Sequence, residues 1–83
     1  MSKQMTIASL EADEIATIEG YLNEQVSQSR LVEMGLLPGT QVRLIKKIPL
    51  NGPVEIKVRN FYLSLRRKDA QNILIKKSPQ HQQ

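Results

Sequence analysis

Two short segments of alternating residues, separated by only one position, constrain this chain more than any other feature. Residues 54–59 and 61–66 each alternate strictly between apolar and polar side chains, the apolar positions being Val54, Ile56, Val58, Phe61, Leu63 and Leu65. A period of two places alternate side chains on the buried face of a strand. The pair Arg59-Asn60, between Val58 and Phe61, fits a two-residue hairpin loop, in which Asn60 is expected to take the left-handed conformation. The pattern predicts an antiparallel hairpin with Phe61 in the core.

Weaker versions of the same pattern predict three further strands, over residues 14–21, 41–47 and 73–77. Ahead of them, Ile7 and Leu10 are expected to anchor a short half-apolar segment in the core.

One helix is predicted between the first two strands. Asn23 is a suitable N-cap, residues 24–34 contain neither glycine nor proline, and Gly35 follows where a helix favours a left-handed residue. Pro38-Gly39 then fits the two central positions of a type II turn. The sequence therefore predicts strand, helix, tight turn and strand in succession.

The chain of 83 residues is long enough for one domain with a small core. Short antiparallel strands avoid exposed edges by closing on themselves. We therefore predict a mainly β fold: a small β-barrel of about five strands with one inserted α-helix, SH3-like or OB-like, with the tight hairpin favouring the SH3-like form. The domain is expected to span residues 1–77, and residues 78–83 are expected to form a disordered tail.

Composition argues against most catalytic chemistry. The chain has no cysteine, and its one histidine, His81, lies in the glutamine-rich C-terminal segment. Thiolate and imidazole chemistry and a transition-metal site are therefore not expected. Glu11, Asp13 and Glu14 are interpreted as a hydrated acidic turn rather than a cation site. Because the sequence has no leader-like segment and no apolar stretch of bilayer length, we expect a cytoplasmic protein that is not an enzyme and carries no cofactor.

Charge is distributed unevenly along the chain. Residues 1–40 carry a net charge of −4 and residues 41–83 carry +8. The basic positions predicted on the outer strand faces are Arg43, Lys46, Lys47, Lys57 and Arg59. This asymmetry favours an oriented partner. A small basic barrel that binds nucleic acid is the alternative, although Tyr62 would be its only exposed stacking ring.

Three segments, in order, resemble the FeoA family of ferrous iron transport proteins. Residues 30–40, RLVEMGLLPGT, are similar to the family signature RLxELGLxPGT. Residues 48–59, IPLNGPVEIKVR, are similar to APLGDPIEIRVRG, and residues 63–70, LSLRRKDA, are similar to LALRRxEA. Asn60 stands where glycine is usual, and Asn51-Gly52 replaces the usual glycine-aspartate order. The resemblance extends over roughly residues 7–76.

The resemblance implies an SH3-like barrel with an inserted helix, and a cytoplasmic accessory role in bacterial ferrous iron uptake. It implies one partner, the membrane permease FeoB with its GTP-binding domain, and no catalysis. The residues predicted to contact this partner are Leu31, Met34, Leu37, Pro38, Arg66 and Arg67. For Leu31 and Met34 a core position is the alternative, and for the basic residues a solvated barrel edge is the alternative. We expect a monomer or a weak homo-oligomer.

Overall fold

The structure, a computed structural model, describes residues 5–23 and 28–78. Its elements are a 3₁₀ turn at Ile7–Ser9, β1 at Ile15–Tyr21, α1 at Gln28–Glu33, β2 at Gln41–Lys47, β3 at Val54–Val58, β4 at Phe61–Leu65, α2 at Arg67–Ala70 and β5 at Ile73–Lys77. The five strands form one antiparallel sheet in the order β4-β3-β2-β1-β5. This confirms the mainly β architecture with one helix inserted between β1 and β2.

The sheet bends around a core built from aliphatic side chains. β-bulges interrupt the strand register between Ile18 and Gly20 in β1 and between Leu44 and Lys46 in β2. A bulge increases local twist, which lets a short sheet curve around its own inner face. The residues with no exposed surface are Ile7, Leu10, Ala16, Leu31, Leu36, Val54, Ile56, Val58, Ala70 and Ile73. The N-terminal segment, both helices and the sheet therefore share one core.

The β3–β4 hairpin has the predicted two-residue loop, with Val58 opposite Phe61, but two details differ from the prediction. The left-handed residue is Arg59, with φ of 54°, and not Asn60. Phe61 is 41% exposed, whereas Leu63 is half-buried and Leu65 is buried. The prediction of a core position for Phe61 was wrong because β4 is an outer strand whose first residue projects past the core.

The connection from α1 to β2 follows its sequence signals closely. Gly35, with φ of 91°, ends the helix in a Schellman motif: the Leu36 N–H donates to the Leu31 carbonyl at 3.0 Å, and the Gly35 N–H donates to the Val32 carbonyl at 2.9 Å. A turn follows, closed by the Thr40 N–H and the Leu37 carbonyl at 3.0 Å, with Gly39 at φ of 93°. The predicted start of the helix, residues 24–27, lies outside the described residues.

The two ends of the domain are fixed to the sheet. Ile7 and Leu10 are fully buried, as predicted, and Thr6 forms an isolated bridge with Leu74. At the other end, the Ser78 N–H donates to the Ile15 carbonyl at 3.0 Å. The paired segment thus extends one residue past the predicted boundary, and residues 79–83 of the predicted tail lie outside the described part. Over residues 5–23 and 28–78, no helix is long and apolar enough to cross a membrane.

Candidate functional site

The end of α1 and the turn after it present an apolar surface, which we call the helix–turn surface: Met34, Leu37, Pro38 and Phe61. Leu37 is 42% exposed, Pro38 is exposed, and Met34 is half-buried against the core. Phe61 extends this surface, since a side chain at position 35 would lie 3.9 Å from its Cζ atom. The Phe61 ring therefore lies next to the end of α1. The sequence placed Met34, Leu37 and Pro38 here but missed Phe61.

The backbone beneath this surface is held firmly. Leu31 has no exposed surface, and the buried hydroxyl of Tyr21 donates a hydrogen bond to the Leu36 carbonyl. Burial raises the pKa of Tyr21 above its ordinary value of 10.0. Because Leu31 is wholly enclosed, its side chain offers nothing that a partner could touch. We therefore assign Leu31 to the core and remove it from the predicted contact residues.

The two arginines predicted as partner contacts differ in their surroundings. Arg66 is exposed and precedes the first residue of α2. Arg67 is half-buried: its Nε donates to the Gly52 carbonyl at 2.9 Å and its Nη2 donates to the Ile48 carbonyl at 2.8 Å. Arg67 therefore fastens the β2–β3 loop to α2, a structural role that the sequence did not indicate. Only Arg66 of the pair is left open to a partner.

An ion pair joins the two helices. Arg30 of α1 donates through Nη2 to Oδ2 of Asp69 in α2 at 2.6 Å, and the Asp69 side chain is only 3% exposed. This contact brings α2, with Arg66 at its start, next to α1. The two segments of the predicted contact set thus lie beside each other in the fold.

A second surface, which we call the basic groove, lies across the outer faces of β2 and β3. It has a volume of about 410 Å³, and its cationic lining residues are Arg43, Lys57 and Arg59. Thr40 also lines it and is only 8% exposed. The Lys57 ammonium lies 5.6 Å from the centre of the Tyr62 ring. The sequence predicted basic outer strand faces but not this concave arrangement.

The acidic residues near β1 form contacts within the protein. Glu14 accepts a hydrogen bond from the Glu11 N–H at 2.8 Å and from the Lys77 ammonium at 3.0 Å. These contacts, the backbone one first, hold the pKa of Glu14 below its ordinary value of 4.5. Asp13 lies 3.6 Å from Arg43. Within the described ranges, no three His, Cys, Asp or Glu side chains converge as metal ligands.

Comparison with known proteins points to one family. The FeoA domain model matches residues 5–77. A fusion of Fe(2+) transport protein A with the Fe(2+) transporter FeoB, from Porphyromonas gingivalis, is 30% identical over 69 residues. That match covers 83% of this chain, and the chain spans only 8% of the fusion protein's length.

Solved structures agree with this relationship. A FeoA-like protein from Clostridium acetobutylicum superposes with a TM-score of 0.84 at 25% identity, covering 100% of this chain and 96% of the other. A FeoA from Stenotrophomonas maltophilia, solved with zinc and described as an SH3 domain protein, superposes with a TM-score of 0.75 at 25% identity. Coverage there is 87% of this chain and 89% of the other. The SH3-like fold predicted from the strand pattern is confirmed.

Proposed function

The chain belongs to the FeoA family, and from this premise we propose that it is a cytoplasmic accessory protein of bacterial ferrous iron uptake. In this proposal it binds the GTP-binding domain of a FeoB-type permease and favours one of its states. A module that binds one state better than another shifts the population toward that state without any chemistry of its own.

The observation that carries the proposal is the fused relative. In the Porphyromonas gingivalis protein, a segment similar to this chain shares one polypeptide with an Fe(2+) transporter. Covalent linkage holds two modules at high effective concentration, which is useful when the modules act on each other.

The helix–turn surface is the part of the molecule that we propose for this contact. It combines the exposed apolar residues Leu37 and Phe61 on a backbone fixed by the Schellman motif and by Tyr21. Rigid presentation of apolar side chains reduces the ordering cost of association. Arg66 lies at the neighbouring helix and is proposed to contact acidic groups at the rim.

Titration of this protein onto the isolated GTP-binding domain, without nucleotide and with GDP or a GTP analogue, tests the proposal. We expect saturable binding whose affinity depends on the nucleotide, measured by calorimetry. Absence of binding in every nucleotide state, and to the full-length permease in detergent, would contradict it.

Single substitutions test whether the helix–turn surface is the contact with the permease. Leu37→Ala and Phe61→Ala are expected to weaken binding by about tenfold each, the loss typical of an apolar contact that matters. Leu22→Ala is the matched control, because Leu22 is 53% exposed and lies at the end of β1. All three variants should melt near the wild type. If Leu37→Ala and Phe61→Ala bind as tightly as Leu22→Ala and the wild type, the interface lies elsewhere.

A further inference from the structure

The basic groove carries a charge arrangement that costs the fold stability. Arg43 and Lys57 are direct cross-strand partners in the β2–β3 register. Like charges placed directly opposite each other on a sheet are unfavourable. Arg59 lines the same groove, and no acidic residue of the ranges 5–23 and 28–78 does. Three cations thus surround one concavity of about 410 Å³.

Little in the part of the chain that the structure describes neutralises these cations. Between residues 5–23 and 28–78, Lys57 and Arg59 form no ion pair, and Arg43 has only the 3.6 Å contact with Asp13. Asp13 is 78% exposed and Arg43 is 47% exposed, so water screens their attraction strongly. The Tyr62 ring positions the Lys57 ammonium but leaves its charge in place.

From these features we infer that the basic groove binds a short acidic peptide segment of a partner protein. One carboxylate lies between Arg43 and Lys57, and a second faces Arg59. This deepens the proposed function, on which it rests, by naming the chemistry of a second contact with the permease. The groove and the helix–turn surface share no residue, so a partner can engage both.

Carboxylates suit the groove better than a nucleic acid strand does. Asp13 borders the cations beside Arg43, and Glu55 lies on β3 two residues before Lys57 and opposite Lys46. In the strand register both acids lie past the Arg43–Lys57 pair, at the same end of the groove. They repel a phosphate backbone that continues beyond that end but leave room for a few residues. Single-strand binders also use several stacked rings, and here the ring beside the cations is Tyr62.

The test uses the full chain and a hexaglutamate peptide, followed by amide chemical shifts in NMR. We expect shifts at residues 39–43 and 57–59, and binding that weakens as salt rises. Lys57→Gln and Arg43→Gln should each weaken binding at least about threefold, the loss of one partly exposed ion pair. Lys68→Gln, which removes the same charge from the exposed surface of α2, should bind like the wild type.

The melting temperature of the Lys57→Gln variant is a second readout, which shows whether Lys57 contributes to stability or only to binding. Because Lys57→Gln removes the repulsion with Arg43, its melting temperature should equal or exceed that of the wild type. Equal weakening by Lys68→Gln, or no binding by the wild type, would overturn the inference. Tighter binding of an oligothymidylate of equal charge would also overturn it, in favour of nucleic acid. If the permease domain fails to bind but the acidic peptide binds as described, the proposed function falls and the groove assignment stands.

Discussion

The carboxylate of Asp69 and the guanidinium of Arg30 meet at 2.6 Å across 39 residues of sequence. Asp69 is almost fully enclosed, whereas the Arg30 side chain is 45% exposed. A buried carboxylate needs a partner because enclosure removes it from water. The pair therefore fixes the inserted helix α1 to α2 and contributes to the position of the helix–turn surface.

Removing Arg30 should cost more than removing both members of the pair. Arg30→Ala leaves the Asp69 carboxylate buried and unpaired, and we expect a loss of about 2 kcal/mol in the free energy of unfolding. The double variant Arg30→Ala/Asp69→Ala should recover about 1 kcal/mol of this, because no buried charge remains. Urea denaturation of the wild type and of both variants measures it. Arg66→Ala, at an exposed arginine, is the control and should stay within about 0.5 kcal/mol.

The β2–β3 loop should lose protection when Arg67 is replaced. Its guanidinium donates to the carbonyls of Ile48 and Gly52, and a lysine cannot reproduce this two-pronged geometry. Arg67→Lys should therefore lower the free energy of unfolding by about 1 kcal/mol. Hydrogen exchange of the loop amides should accelerate relative to that of β1. If Arg67→Lys instead weakens permease binding with loop exchange unchanged, the arginine contacts the partner and not the loop.

The alkaline stability of the protein should depend on Tyr21. Burial disfavours the tyrosinate, so the pKa of Tyr21 in the folded state lies above its ordinary 10.0. The unfolded chain therefore ionises first, and this stabilising contribution is complete below pH 10 and is lost as pH rises through the raised pKa. Thermal melting between pH 7 and 12 should show a steeper decline above pH 10 for the wild type than for Tyr21→Phe.

In this melting series, Tyr21→Phe also lowers stability at neutral pH, and Tyr62→Phe is the control. Tyr21→Phe leaves the Leu36 carbonyl without its donor and should lose about 1 kcal/mol at neutral pH. Tyr62→Phe changes a ring that is 65% exposed and should retain the wild-type slope above pH 10. Identical slopes for the wild type and Tyr21→Phe would show that the buried hydroxyl does not control alkaline unfolding.

Short-range signals account for what the sequence predicted correctly. The left-handed conformations of Gly35 and Gly39 and the two-residue loop between β3 and β4 depend on neighbouring residues alone. The strand pattern also placed Val54, Ile56 and Leu65 in the core, where alternation is uninterrupted. Such features depend on short stretches of sequence, so they can be predicted without knowing the tertiary structure.

Contacts between distant segments account for what the sequence missed. The roles of Arg30 and Arg67 depend on partners 39 and 15–19 residues away. The exposure of Phe61 depends on where an outer strand passes the end of the core, which alternation does not encode. The concavity around Thr40 depends on three elements meeting. For these reasons the candidate surfaces needed the tertiary structure.

Leu50 should be replaceable with a gain in stability. It lies at the tip of the β2–β3 loop with φ of 62° and is 98% exposed, so it contributes no burial in return for a conformation that leucine disfavours. Asparagine tolerates this conformation, as Asn51 already does beside it. Leu50→Asn should therefore raise the free energy of unfolding by about 0.5–1 kcal/mol, or the melting temperature by about 2–8 °C. Leu22→Asn, at an exposed leucine outside the left-handed region, should give no such gain. A wild-type-like melting temperature for Leu50→Asn would mean that the loop relaxes without strain at this position.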